Sequence, residues 1–311
     1  MRILIAIPVF NEERYVAGVL TNTLRHARQI ERSTGHRVDV LVVDDGSTDG
    51  TPGIVVGFPV SLSRRTANAG YGRSMRDAFR WAQAEGYDWL ITMDCDEQHE
   101  PAALPGFVRV AEDTAADVIS GTRYLRAETG NDRPPPDRRR INLAMTAEIN
   151  ARLAPALGCV LTDAFCGFKA YRVAALANLA LSVEGYAFPM QFWAQAGAQR
   201  MRVVEHSVRL IYNDLARTFG DGLDDPERRL RHYRRVLHRE ILRQRRLLPQ
   251  AALRGVTRWA ALPPRCEDER SAKRESRVAN READAHDGSA HPDGRAACTV
   301  KRESRIANGE S

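Results

Sequence analysis

The apolar residues fall into short runs separated by polar turns, and the runs alternate between two periods. Ile3–Pro8 is continuously apolar, the pattern of a strand buried on both faces. After Asn11-Glu12-Glu13, the apolar positions Val16, Val19, Leu20, Leu24 and Ala27 follow helical spacing. Val38–Val43 predicts a second strand, closed by Asp44-Asp45-Gly46-Ser47, and Pro59–Leu62 predicts a weaker third. Asn68-Ala69-Gly70-Tyr71-Gly72 reads as a turn into a helix that buries Met75, Ala78, Phe79 and Ala82. Trp89–Met93 predicts a strand ended by Asp94-Cys95-Asp96, Pro101–Ala111 a helix, and Asp117–Gly121 another strand. This alternation predicts an α/β fold whose mostly parallel sheet is covered on both faces.

The second half is less regular. Ala127–Arg140, with Pro134-Pro135-Pro136 and Arg138-Arg139-Arg140, reads as a mobile loop. Ile141–Ala156 predicts a helix, Gly167–Arg172 a short strand, Phe188–Ala198 a helix, Met201–Ile211 an alternating strand, and Asp224–Leu248 a long basic helix. Trp81, Trp89 and Trp193 lie in apolar patterns and are expected in the core. After Trp259 there is no aromatic residue, and Lys273–Asn280 recurs as Lys301–Asn308. Two copies without an apolar face cannot stack into a repeat fold. Residues 263–311 are therefore expected to be a disordered tail behind a folded domain of residues 1–250.

Charge changes this picture in one place. The 311 residues carry 46 Lys+Arg against 40 Asp+Glu, a net +6, and all but Lys169, Lys273 and Lys301 of those cations are Arg. Pro226–Arg246 alone holds nine Arg and two Glu, a local +7, so the rest of the chain sums to −1. Within it, Leu230, Tyr233, Leu237 and Ile241 recur at helical steps. Such a basic amphipathic helix fits an anionic membrane surface, or else a helix docked by its apolar stripe with a solvated Arg face. No nucleic-acid-binding motif or aromatic platform accompanies it, so nucleic acid is not an expected partner. No run approaches the ~18–20 apolar residues of a membrane span, and the N-terminus lacks a secretory pattern. With five scattered cysteines, the expectation is a reduced protein in the cytoplasm, peripheral on the cytoplasmic face of the membrane.

The acidic residues sit where the strands end. Asp44 and Asp45 follow the second strand, Asp94 and Asp96 the fourth. Ligands of open parallel sheets bind at the carboxyl ends of the strands, so these four carboxylates should converge on one crevice. Asp94-Cys95-Asp96 with Gln98 offers hard oxygen ligands suited to Mg²⁺ or Mn²⁺ bridging phosphates. His99 is either a further ligand or a structural hydrogen-bonding group. Cys95 is either a buried small side chain or a redox thiol.

Four motifs occur in order: Ile7-Pro8-Val9-Phe10-Asn11-Glu12-Glu13, Val42-Val43-Asp44-Asp45-Gly46-Ser47, Asn68-Ala69-Gly70-Tyr71-Gly72 and Met93-Asp94-Cys95-Asp96-Glu97-Gln98-His99. In these, and in Gly121-Thr122-Arg123-Tyr124 and Asp163 with Gly167-Phe168, the chain resembles the inverting family 2 glycosyltransferases. It looks most like the branch of dolichol-phosphate mannosyltransferase and bacterial polyprenyl-phosphate glycosyltransferases, over about residues 1–245. The resemblance implies a GT-A fold, with residues 1–125 binding the nucleotide sugar and residues 126–250 forming the acceptor part and the basic helix. It implies that Pro8, Phe10, Glu12, Val42 and Asp44 line the nucleotide pocket, with Asp94 and Cys95 by ribose and diphosphate. Asp96 and Gln98 would hold the metal, and Arg123 would meet a phosphate. Asp96 and Arg123 are then the catalytic candidates. One of Arg138, Arg139 and Arg140 would guide an acceptor phosphate, and Arg217 would match a late phosphate-binding Arg.

The implied reaction moves a hexose, from GDP-mannose or UDP-glucose, to a polyprenyl phosphate. The physics agrees, because cations and Arg forks stabilise the charge growing on a departing diphosphate. A phosphate acceptor needs no general base. A glycan or soluble hydroxyl acceptor does, and Asp163, on the acceptor side, is then the candidate, its plainer role being a turn cap. A non-catalytic sugar-nucleotide-binding module is the third reading, opposed by the presence of Asp94, Asp96 and Gln98.

Overall fold

The computed structural model describes residues 1–125, 133–212 and 222–256. The expected disordered tail, and Arg217, lie outside the described residues. The order is β1 (Arg2–Val9), α1 (Val16–Thr34), β2 (Arg37–Asp44), α2 (Thr51–Val55), β3 (Ser61–Arg64), α3 (Tyr71–Ala84), β4 (Trp89–Thr92), α4 (Leu104–Asp113), β5 (Val118–Thr122), α5 (Pro136–Leu157), β6 (Lys169–Arg172), α6 (Phe188–Ala198), β7 (Val203–Ser207) and α7 (Pro226–Arg243). Single 3₁₀ turns cover Pro101–Ala103, Val173–Asn178 and Gln250–Leu253.

One seven-stranded sheet has the order β3-β2-β1-β4-β6-β5-β7. All neighbours are parallel except β6, which runs antiparallel to both β4 and β5. Strand β1 shows why both faces are covered. Ile3, Ile5, Ile7 and Val9 enter one core with α1 and α4, while Leu4 and Ala6 enter the other with α3, α5, α6 and α7. Alternation along a strand produces this division directly. Trp89 and Trp193 are buried as expected, and Trp81 is partly buried against the second core.

One expectation is corrected, and one left open between two readings is decided. Residues 136–140 are the first turns of α5 rather than loop, so the Arg triplet is held on a helix. Pro136 sits in the first turn, where its missing N–H costs nothing and its fixed φ suits the helix, and Asp137 adds a favourable charge. The basic helix α7, capped by Asp225, is docked on the domain. Leu230, Tyr233, Val236, Leu237 and Ile241 are buried in the core that α7 shares with α5 and α6. That stripe is therefore not available to a bilayer, and α7 presents only an Arg-rich outer face.

Polar groups also fasten α7. Glu148 of α5 pairs with His238 and Arg234 of α7, and Arg152 beside it donates to the carbonyls of Ala252 and Arg254. Burial alone would raise the Glu148 pKa, but the His238 and Arg234 hydrogen bonds and the nearby cations bring it down to about 2. A carboxylate depressed on folding adds stability above its unfolded pKa and loses it as pH falls through the folded value.

Two outcomes are expected. Leu237→Ala should cost about 2–5 kcal/mol in urea unfolding, whereas a stripe reserved for membrane would leave stability in solution unchanged. Glu148→Gln should flatten the loss of thermal stability between pH 4.5 and 2, measured by circular dichroism against the parent chain.

Candidate active site

The loops after β1 and β2 are stitched together. Asn11, in the left-handed region at φ 54°, donates its N–H to Ser47 Oγ (2.9 Å) and accepts from Thr48 N (2.9 Å). Glu12 N–H donates to Thr51 Oγ1 at 2.8 Å, and Glu13 accepts from Gly50 N at 2.7 Å. These bonds leave Phe10 projecting, 42% exposed, as a ring face beside the strand ends. Asp44 is fully buried; Oδ1 accepts from Ser47 N at 2.8 Å, while Oδ2 has no hydrogen bond although Arg64 Nε stands 3.0 Å away. A buried carboxylate oxygen left in this state is a ready acceptor for a ligand N–H. Val42 and Cys95 are buried in the core. Their backbone, not their side chains, is what a nucleotide could meet, and Cys95 is a packed thiol.

Asp45 has a different task. It accepts from Ala69 N (2.8 Å) and Gly70 N (2.7 Å) and pairs with Arg65, which also binds Asp77. It thereby folds the Asn68–Gly72 turn. Gly70 adopts φ 97°, and a Cβ on Gly72 would lie 2.3 Å from the Val183 carbonyl oxygen. Both positions need glycine.

At the end of β4, Asp94 N–H donates to His99 Nδ1 (2.9 Å), and Asp96 Oδ1 accepts from Gln98 N (3.1 Å). His99 is buried, its Nε2 is 3.9 Å from Cys166 Sγ, and burial lowers its pKa to about 4. It is the structural member of the loop. A Cβ on Gly167 would stand 2.7 Å from Asp94 Oδ2 and 3.0 Å from the Tyr71 hydroxyl. Glycine there is what lets the turn before β6 lie against the Asp94 carboxylate.

The end of β5 carries the second set. Arg123 Nε and Nη2 hold Asp163 Oδ2 and Oδ1 at 2.7 and 3.0 Å. Burial opposes ionisation of Asp163, but Arg123 and the Asn142 hydrogen bond hold its carboxyl well below the usual range. A base needs an uncommitted lone pair near the substrate; here the Asp163 carboxylate accepts from Arg123, Asn142 and the Phe165 N–H. Beside it, the Arg139 guanidinium lies 3.6 Å over the Tyr124 ring, with Nη1 buried and lacking a hydrogen bond. Arg140 is paired with Glu227 at 2.7 Å. Tyr124, Arg133, Pro134, Pro136, Arg139, Arg140, Leu143 and Ala144 line an open groove of about 800 Å³.

A model of the "Glycosyl transferase family 2" family matches residues 4–179. The chain belongs to this family. It is an inverting glycosyltransferase of GT-A fold. Over 223 residues it is 31% identical to the polyprenol monophosphomannose synthase of Mycolicibacterium smegmatis, covering 69% of this chain and 79% of that one. Over 230 residues it is 30% identical to the undecaprenyl-phosphate mannosyltransferase of Micrococcus luteus, covering 71% and 88%. The fold is shared with glucosyl-3-phosphoglycerate synthase of Mycobacterium tuberculosis, solved with Mn²⁺, UDP and glucosyl-3-phosphoglycerate, at TM-score 0.55 and 20% identity over 77% of this chain and 79% of that one.

Several residues that shape this glycosyltransferase site were not singled out from sequence. Lys169 is buried, donates to the Cys166 carbonyl and lies 5.4 Å from the Trp193 ring centre, and burial lowers its pKa. Its signal was composition: it is the one lysine before Lys273 in an Arg-rich chain. Asn142 and Glu205 had no comparable signal, and Tyr124 stood only as the last residue of the Gly121-Thr122-Arg123-Tyr124 motif.

Gly167→Ala should push the Asp94 carboxylate aside. The expected result is at least about a tenfold loss of UDP or GDP affinity in the presence of Mn²⁺, by calorimetry, with the far-UV spectrum retained.

Proposed function

We propose that this enzyme transfers a hexose from GDP-mannose or UDP-glucose to a polyprenyl phosphate. The observation that carries the acceptor is the groove beside Tyr124. Its apolar walls are Pro134, Pro136, Leu143 and Ala144, its cations are Arg133, Arg139 and Arg140, and Arg139 Nη1 is buried with no hydrogen-bond partner among the described residues. An apolar trough with an unsatisfied cation fits an isoprenoid chain ending in phosphate. Among the three arginines, Arg139 is assigned the phosphate, since Arg138 is not among the residues lining the groove and Arg140 is paired with Glu227. The relatives named for polyprenol and undecaprenyl phosphate chemistry support this choice.

On the donor side, Phe10 offers a stacking face, and Pro8, Glu12 and the backbone at Val42 border it. Asp44 Oδ2, ion-paired with Arg64 but without a hydrogen bond among the described residues, offers an acceptor for a base N–H. Asp94 and Cys95 lie by the ribose and diphosphate. Asp96 and Gln98, with Asp94, supply hard oxygen donors that fit Mg²⁺ or Mn²⁺, and the Gly167 cradle leaves room beside them. When bound, such a cation would neutralise charge on the leaving diphosphate. A phosphate oxygen of the acceptor attacks the anomeric carbon. The bond from that carbon to the diphosphate oxygen breaks, and the configuration inverts. The acceptor phosphate is already anionic, so no proton need be removed. Arg123 and Arg139 offset the repulsion between two anions brought together.

The lipid acceptor brings the enzyme to a membrane, which we infer to be its cytoplasmic face. No helix among the described residues is long and apolar enough to cross a membrane. The Arg-rich outer face of α7 is suited to anionic headgroups through charge alone.

The test is a panel of radiolabelled sugar nucleotides with short-chain polyprenyl phosphates. The expected product is an acid-labile polyprenyl-phosphate hexose. Asp96→Ala should lower turnover at least about 10³-fold, and Arg139→Ala should raise the acceptor KM about tenfold with the donor KM little changed. Transfer only to hydroxyl acceptors would overturn the reading.

A further inference from the structure

Arg123 does not stand alone at the end of β5. Its Nε and Nη2 are both taken by Asp163, and the side chain is only 13% exposed. Nη1 has no hydrogen-bond partner among the described residues. Asp163 is itself held from three directions. Asn142 of α5 donates Nδ2 to Oδ1 at 2.7 Å, and Phe165 N–H donates to the same oxygen at 3.1 Å. Thr146, one turn along α5, donates to Asn142 Oδ1 and accepts from Ala164 N, both at 3.1 Å. Glu205 of β7 accepts from Thr162 N and Oγ1, each at 2.8 Å, and from Asp163 N at 3.3 Å.

A buried ion pair of this kind is a weak source of stability, because desolvating two charges consumes most of the Coulomb gain. Its geometry is the more telling property. A planar guanidinium gripped along one edge cannot rotate, and its remaining nitrogen has a fixed direction. We propose that Asp163, braced by Asn142 and Glu205, is a positioning residue that locks Arg123 so that Nη1 faces a substrate phosphate. The proposal rests on the phosphate-acceptor reading above. Preorganised charge of this sort lowers the barrier because no reorganisation is needed as charge shifts between phosphates. Asp163 and Asn142 then act through Arg123 and never touch the substrate.

The test is a double-mutant cycle of Asp163→Asn and Arg123→Ala with full-length enzyme, sugar nucleotide and short-chain polyprenyl phosphate. Asp163→Asn should lower kcat about 10–100-fold and change the donor KM less than about threefold. The double variant should be no slower than Arg123→Ala alone. Asn142→Ala, which leaves the ion pair in place, should lower kcat about 3–10-fold in the same pattern with little change in Tm, and serves if Asp163→Asn does not fold. Losses that multiply across the cycle would overturn the proposal. So would an Asn142→Ala variant that loses Tm but keeps its kcat, which is the signature of a purely structural network. Parent enzyme with no transfer to any polyprenyl phosphate would instead overturn the acceptor reading.

Discussion

The site depends on one reversed strand. Because β6 runs antiparallel between β4 and β5, its beginning lies beside their ends: Lys169 pairs with Thr92 on one side and Ser120 on the other. The turn leading into β6 is thereby delivered to the carboxyl edge of an otherwise parallel sheet. Gly167 arrives against Asp94, and Asp163 arrives against Arg123. A parallel β6 would place its beginning at the opposite edge and separate both pairs by the height of the sheet. Lys169 pins the turn from within by donating to the Cys166 carbonyl, and Thr92 Oγ1 donates to the Gly167 carbonyl at 2.8 Å.

The carboxylates gathered at that edge are not equivalent. Asp45 and Asp163 are spent on structure, the first folding the Asn68–Gly72 turn and the second gripping Arg123. Asp44 is half spent, with one oxygen bonded to Ser47 and the other without a hydrogen bond. Asp94 keeps about a third of its side chain exposed beside the glycine cradle. Arg64, Arg65 and Arg123 each answer one of the buried acids. Charge is therefore sorted by depth: buried acids are matched by arginine, while the carboxylates that would meet a cation remain toward solvent.

The strands and most helices were legible because their apolar period is strong, as in Ile3–Pro8 and in the Met75–Ala82 stripe. The strand-end positions of Asp44, Asp45, Asp94 and Asp96 predict one shared crevice, and β2 and β4, both parallel to β1, do end at the same edge of the sheet. The start of α5 was hidden by the three prolines, which read as loop although one of them is an ideal first-turn residue. The fate of α7 was undecided because an apolar stripe is the same pattern whether it faces lipid or protein; burial of Leu237 and Ile241 decides it. The role of Asp163 was least legible. Its partner lies 40 residues away, and ion pairing across that distance has no local pattern.

These points bear on why the acceptor side is built from arginine and apolar walls. An enzyme that activates a hydroxyl must keep a carboxylate basic and accessible. Here the Asp163 carboxylate is spent on Arg123, Asn142 and a backbone N–H, and the neighbouring Glu205 is spent on Thr162 and the Asp163 backbone. What lines the groove is Arg139 on its tyrosine platform with Arg133 and Arg140, and next to Tyr124 in sequence Arg123 keeps Nη1 outside its pair with Asp163. That arrangement can attract, orient and screen an anion but is poorly disposed to remove a proton. It suits a nucleophile that arrives already charged, and it makes the electrostatic burden of the reaction, rather than proton transfer, the problem this chain is built to solve.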